Sequence, residues 1–194
     1  MLVLIVGPSG AGKDTLLNGA RQALAADHRI RFVTRTITRP ALPNLGEERH
    51  ETLTEQAFEA MRTAGGFAFS WGAHGLHYGV PADIGVDLAE GRVVVVNVSR
   101  AMVMEAAERF PVRVIEITAP ADTLARRLAA RGREDAVDVA RRLSRQIELP
   151  LPVERVSVVN DGMVEAGVRK LVAALNRAVA DAPQSGSADP APAG

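Results

Sequence analysis

Cysteine is absent from all 194 residues, which excludes disulfides, thiolate nucleophiles and cysteine-ligated metals. Lysine is almost as scarce: of 23 basic residues only Lys13 and Lys170 are lysine. Aromatic residues make up 4% of the chain, with a single Trp and a single Tyr. That is too little for the stacking platforms that hold single-stranded nucleic acid. Charge of one sign is also lacking, since 23 basic and 23 acidic residues leave a net charge of zero. Nucleic acid and anionic membranes, partners held by bulk charge, are therefore not expected. The four histidines do not form a zinc site: His28 stands alone, and His50, His74 and His77 follow neither the two-histidine helical spacing nor the finger pattern. Long apolar runs are missing too. The opening run from Met1 to Val6 has six residues and no basic leader, so neither a signal peptide nor a membrane span is expected, and a soluble cytoplasmic protein follows by default.

What is present is aliphatic. Hydrophobic residues make up 47% of the chain, a composition suited to an α/β core, and the length fits one domain of about 100 to 200 residues. Residues 2–6 form a continuous apolar run ending at Gly7, as expected of a strand buried on both faces of a parallel sheet. Similar β-branched runs recur at 93–98, 112–118 and 155–159. Helical stretches at roughly 13–26, 100–109, 121–130, 136–148 and 163–180 separate them. The alternation predicts an open parallel sheet with helices on both faces. Between about 36 and 85, prolines and glycines punctuate short strand-like pieces, which predicts an inserted antiparallel subdomain with one helix at 54–64 started by Thr54. One domain over 1–180 and a disordered Ala/Pro/Ser/Gly-rich tail over 181–194 complete the plan.

Gly7-Pro8-Ser9-Gly10-Ala11-Gly12-Lys13-Asp14-Thr15 follows the first strand and opens the first helix, matching the phosphate-binding loop pattern with its required flanks. A polyphosphate needs converging backbone N–H groups, and glycines let the chain wrap closely around it. The helix adds its N-terminal dipole and Lys13 a point charge for the β and γ phosphates, so ATP is the expected cofactor. The position that normally supplies a Mg²⁺-binding hydroxyl is Asp14, with Thr15 next. A carboxylate is still a hard oxygen ligand, which makes Asp14 the candidate Mg²⁺ ligand, although an acid in the first helical turn is also favoured by the dipole alone.

Arginines supply the remaining signal. Arg35 and Arg39 bracket the end of the second expected strand, where a parallel sheet presents its carboxyl ends to ligands. Seven more fall between Arg126 and Arg145 against three acids. Around Gly132 this segment reads as a lid that closes over phosphates.

These motifs resemble the guanylate kinase-like branch of the nucleoside monophosphate kinases over nearly all of residues 1–180. The matches are the Gly-Pro-Ser-Gly-Ala-Gly-Lys loop, Thr-x-Thr-Arg-Pro at 36–40, Gly-x-x-Tyr78-Gly, Arg-Leu-x-x-Arg131-Gly, Arg142-Leu and Val-Val-Asn160-Asp. The resemblance implies a P-loop α/β kinase in which Arg35, Arg39 and Tyr78 hold the acceptor phosphate. It also implies that Arg131 and Arg142 stabilise the transferring group and that Asn160 lies near the adenine. In the place of the guanine-reading Glu of Gly-Glu-Phe-x-Glu-Trp, however, this chain has Ser70 before Trp71. The strand ending at Asn97 continues into Val98-Ser99-Arg100, without the acids of the guanine-binding enzymes. Unpaired guanine donors would cost about 1–3 kcal/mol each. With Lys-Asp in the loop and Asn97, Ser99 and Arg100 as further acceptor-site residues, the chain is similar to a sugar-phosphate branch of that family. This resemblance implies phosphorylation of ribose 1,5-bisphosphate to 5-phosphoribosyl 1-diphosphate, in phosphonate breakdown. A guanylate or other nucleotide kinase and a non-catalytic binding module stay open as alternatives. The expected partner is a small phosphorylated sugar, with homodimerisation left open.

Overall fold

Strand β1 (Leu2–Val6) has no exposed side chain. Val3 and Ile5 enter one core and Leu2, Leu4 and Val6 another, so the apolar run feeds both faces of a central strand, as its pattern predicts. The computed structural model describes residues 1–38, 50–73, 75–129 and 153–182. Five parallel strands form the main sheet in the order β2 (Ile30–Phe32), β7 (Val93–Asn97), β1, β8 (Val112–Thr118), β9 (Arg155–Val159).

Helix α1 (Lys13–Ala23), following β1, buries Leu16 and Ala20 on the first face against the C-terminal helix α6 (Val164–Asp181). Helix α4 (Val103–Arg109), following β7, buries Val103 and Ala106 on the second. The chain therefore leaves the neighbouring strands β1 and β7 toward opposite faces. A crevice at their carboxyl ends results, the usual ligand position in such sheets. Helix α5 (Ala121–Ala129) follows β8.

The inserted segment builds a second sheet in the order β4 (His50–Thr52), β3 (Arg35–Ile37), β6 (Leu76–Pro81), β5 (Phe67–Ala73). The expectation of an antiparallel insertion needs one correction, because β3 and β4 run parallel and only the β3–β6 and β5–β6 pairs are antiparallel. Twelve residues, 38–49, separate β3 from β4 in the chain, a connection longer than a hairpin, which frees β4 to take the parallel direction. Helix α2 (Glu55–Thr63) forms as expected, its Thr54 hydroxyl accepting the Ala57 N–H at 3.2 Å. Phe58 of α2 stacks on Phe67 at 4.6 Å. A register irregularity between Phe67 and Phe69 turns the strand over there. Phe69 and Val80 then join Val94, Val96, Met102 and Ile84 of helix α3 (Ile84–Ala89) in the second core. The two sheets thus share one hydrophobic core.

Two expected boundaries move. Residues 126–129, assigned to the start of the lid, are the last turn of α5, and residues 130–145 lie outside the described residues, as does the expected helix at 136–148. At the C-terminus α6 continues to Asp181, whose carboxylate is paired with Arg113, and the rest of the expected tail, residues 183–194, lies outside the described residues. Among the described residues no helix is long and apolar enough to cross a membrane.

Candidate active site

The loop between β1 and α1 is shaped by steric necessity. Gly12 has φ +83°, and a Cβ there would stand 2.5 Å from Asn160 Nδ2. A Cβ on Gly7 would meet the Ile117 carbonyl oxygen of β8 at 2.0 Å. Any larger side chain would push the loop off the sheet edge. Lys13 curls back over the loop, its Nζ donating to the carbonyls of Gly7 at 2.9 Å and Pro8 at 3.0 Å. Ala11 N–H donates to the Pro8 carbonyl at 3.3 Å, closing the turn through Ser9 and Gly10. Thr15 lies in the first turn of α1, half-buried.

Asn160 stands behind the loop rather than before it. Its amide donates to the Ala11 carbonyl at 2.8 Å, and the residue is 4% exposed. Through that contact the side chain braces the loop. A second brace was not singled out from the sequence. Arg127 of α5 donates to the Gly10 carbonyl at 3.4 Å, while Leu124 and Leu128 pack where a Gly10 Cβ would point. The i, i+4 spacing of these leucines with Arg127 between them is the signal that places that arginine over the loop.

Asp14 connects the loop to the acceptor side. Its Oδ1 accepts from Asn97 Nδ2, at the carboxyl end of β7, at 3.1 Å, and Asp14, Asn97 and Arg35 line one cleft. Arg35 is 8% exposed and opens β3 of the second sheet rather than ending a strand of the main one. The physical reason is that the main-sheet strand β2 stops at Phe32, three residues earlier. Its guanidinium lies 5.3 Å from the Tyr78 ring and 5.8 Å from Trp71, two rings stacked on each other at 5.3 Å. Burial pushes the Arg35 pKa down, and the nearby Asp14 carboxylate works against that shift. His50 is Arg35's register partner on β4. His77 instead lies against Phe58 on the α2 side, and Trp71 packs against the shared core.

Arg100 and Ser99 have other engagements. Glu116 of β8 pairs with Arg100 at 2.6 Å, so Arg100 does not bring an uncompensated positive charge to the crevice. The acid that balances it lies 16 residues along the chain on another strand, beyond the reach of local pattern. The Ser99 hydroxyl accepts from Ala101 N at 3.4 Å and caps a single 3₁₀ turn at 100–102. Arg39, Arg131, Arg142 and His74 lie outside the described residues. Among the described residues there is no cluster of three His, Asp or Glu side chains able to hold a metal alone. A cation here would be shared with a ligand's oxygens, an arrangement that suits Mg²⁺ on one carboxylate plus phosphates and water.

Comparison with known proteins adds the lineage. No protein-family model matches the chain. Over 175 residues it is 49% identical to ribose 1,5-bisphosphate phosphokinase PhnN of Methylobacterium radiotolerans, covering 90% of this chain and 96% of that one. The chain belongs to the ribose 1,5-bisphosphate phosphokinase family. A second family member, PhnN of Acidiphilium cryptum, is 50% identical over 158 residues, 81% of this chain and 82% of that one. A longer relative, the bifunctional ribose 1,5-bisphosphokinase-thymidine phosphorylase of Azorhizobium caulinodans, is 49% identical over 177 residues. That match covers 90% of this chain, which spans 25% of the relative's length. In structure, guanylate kinase from Anaplasma phagocytophilum superposes with a TM-score of 0.67 at 17% identity, over 96% of this chain and 87% of that one. The phosphokinase family therefore has a guanylate kinase-like P-loop α/β fold here, as its motifs imply.

Proposed function

We propose that the chain transfers the γ-phosphoryl group of ATP to the 1-phosphate of ribose 1,5-bisphosphate, giving 5-phosphoribosyl 1-diphosphate and ADP. The observation that carries this reading is 49% identity along almost the full length of a relative bearing that activity in its name. Ser70 and Asn97 support it, because they offer neutral groups where guanine would need carboxylates.

An oxygen of the acceptor's ionised 1-phosphate attacks the γ phosphorus as the bond to the β–γ bridging oxygen breaks. The acceptor needs no strong general base, so catalysis rests on alignment and neutralisation of charge. Lys13 moves its three donors from the loop carbonyls to the β and γ oxygens. The loop N–H groups from Gly7 to Lys13 and the start of α1 hold the polyphosphate. Mg²⁺ supplies further neutralisation of the β and γ oxygens when bound, and Asp14, oriented by Asn97, is the residue that would hold it. Arg35, backed by Tyr78 and joined by Arg39, holds the acceptor, with Arg131 and Arg142 closing on the transferring group. Cytoplasmic location in phosphonate catabolism belongs to the same reading.

The test is ADP release coupled to an indicator reaction, with ribose 1,5-bisphosphate or GMP as acceptor. Turnover with the sugar bisphosphate is expected. Turnover with GMP alone assigns a guanylate kinase, and ATP binding without turnover on either acceptor assigns a binding module.

A further inference from the structure

On α1, Asp14, Leu17, Asn18 and Arg21 stand at i, i+3, i+4 and i+7, so they form one stripe along the helix, while Leu16 and Ala20 face the core. All four line a narrow, open cleft. Arg35 and Asn97 stand across it, and Phe32, Val33 and Val95 form an apolar floor. The cleft begins at the phosphate loop, where Asp14 lies, and runs to Arg21, roughly 10 Å farther along the helix at 1.5 Å per residue. Arg21 is held in place: its Nη1 donates to the Phe32 carbonyl at 3.2 Å and its guanidinium lies 5.3 Å from the Phe32 ring. Two arginines therefore bound a cleft with one acid, and that acid sits at the end where a metal and the transferring phosphoryl group are expected.

We infer that this stripe is a second phosphate subsite, which receives the 5-phosphate of the acceptor sugar through Arg21 and Asn18 while the 1-phosphate lies between Asp14 and Arg35. The inference rests on the proposed sugar-bisphosphate activity and names what in this chain selects a sugar with two phosphates. The apolar floor carries the carbon face of the ribose, and the pinned guanidinium meets the distal phosphate with little ordering cost. A cation in the last turn of α1 also complements the helix dipole. That role alone would leave acceptor selectivity untouched, which the following experiment measures.

Wild type, Arg21→Met and Asn18→Ala are compared on ribose 1,5-bisphosphate and on ribose 1-phosphate, which lacks the distal group. Methionine keeps the packing on Phe32 and removes the charge. Wild type is expected to favour the bisphosphate. Arg21→Met should lower kcat/KM for the bisphosphate about 10- to 100-fold, chiefly through KM, while leaving ribose 1-phosphate and the KM for ATP nearly unchanged. Asn18→Ala should narrow the acceptor ratio in the same sense and to a smaller extent, and it decides the matter if Arg21→Met does not fold. An unchanged ratio, or equal losses on both acceptors in a variant that melts like wild type, overturns the subsite and leaves the activity standing. No turnover of ribose 1,5-bisphosphate by wild type overturns the activity and the subsite together.

Discussion

Asn160 offers the sharpest test of how the phosphate loop is held. Its side chain is buried, with Nδ2 donating to the Ala11 carbonyl at 2.8 Å and Oδ1 lacking a hydrogen-bond partner. Replacement by Ala removes one good bond and one unsatisfied oxygen together. The two effects partly cancel, so about 1 kcal/mol of stability is lost. Asn160→Asp is nearly isosteric and far worse at neutral pH, because it sets a carboxylate oxygen against the Ala11 carbonyl oxygen. Burial raises the folded-state pKa of that carboxyl, and each pH unit of the rise costs about 1.4 kcal/mol once the pH exceeds it. A loss of about 2–4 kcal/mol is expected at pH 8. The sign follows from proton binding. With a folded pKa above the unfolded value of about 3.9, the folded state binds more protons, so the penalty is absent below that value and grows as pH rises toward the folded pKa. Denaturant unfolding of wild type and both variants at pH 5 and pH 8, with the KM for ATP measured alongside, reads both effects. Asn160→Asp should lose stability between pH 5 and pH 8 and bind ATP more weakly than Asn160→Ala at pH 8. If it matches wild type in stability and in KM at pH 8, the amide does not brace the loop.

Three further outcomes are expected. Lys13→Ala should lower turnover about 1,000-fold or more while melting close to wild type, since the bonds it donates to the Gly7 and Pro8 carbonyls lie at a half-buried edge; wild-type rates would remove the phosphate-loop assignment. Asp14→Ala should raise the Mg²⁺ concentration for half-maximal turnover roughly tenfold, and an unchanged Mg²⁺ dependence would refute its role as ligand. Arg113→Met should cost about 1–2 kcal/mol in denaturant unfolding, because Arg113 is buried yet its partners Glu154 and Asp181 are 60% and 57% exposed and rehydrate readily. KM values should stay at wild type, since Arg113 lies in register with Val3 near the start of β1, away from its loop end.

The phosphate loop and the parallel sheet were legible because local rules suffice for both. The apolar run at 2–6 has the pattern of a strand buried on two faces, and the Gly7–Lys13 spacing follows it directly. Thr54 likewise announces α2 by cap chemistry. What escaped depends on pairing across the chain. Glu116 neutralises Arg100 from a neighbouring strand, and Asn160 reaches Ala11 across 149 residues. No window of sequence contains either relation. The parallel β3–β4 pair was hidden for another reason, because the direction of a strand after a long connection is set by where the connection returns. Arg35 lies between these cases. Its type pointed to phosphate, but its place at the start of the second sheet follows from where β2 ends.

Phosphoryl transfer needs donor and acceptor held to within fractions of an ångström, and this fold meets the demand by sharing a core between its sheets. Val33 continues the β2–β7 pairing by donating to Val95 O at 2.9 Å, and only Thr34 then separates it from Arg35. The guanidinium on the acceptor side is thus one residue away from a hydrogen bond of the sheet that carries the loop. Phe69 and Val80 of the second sheet are buried with Val94 and Val96 of the first, and Arg109 of α4 donates to the Ala68 carbonyl of β5. Movement of the second sheet as a whole would break the last two contacts at once. The cleft proposed for the acceptor, between Arg35 and Asp14, is therefore flanked by contacts that join the two sheets. A neutral chain can build such a site because charges elsewhere are placed in pairs, Arg100 with Glu116 and Arg113 with Glu154 and Asp181, while the Arg35 guanidinium lies beside the Trp71 and Tyr78 rings.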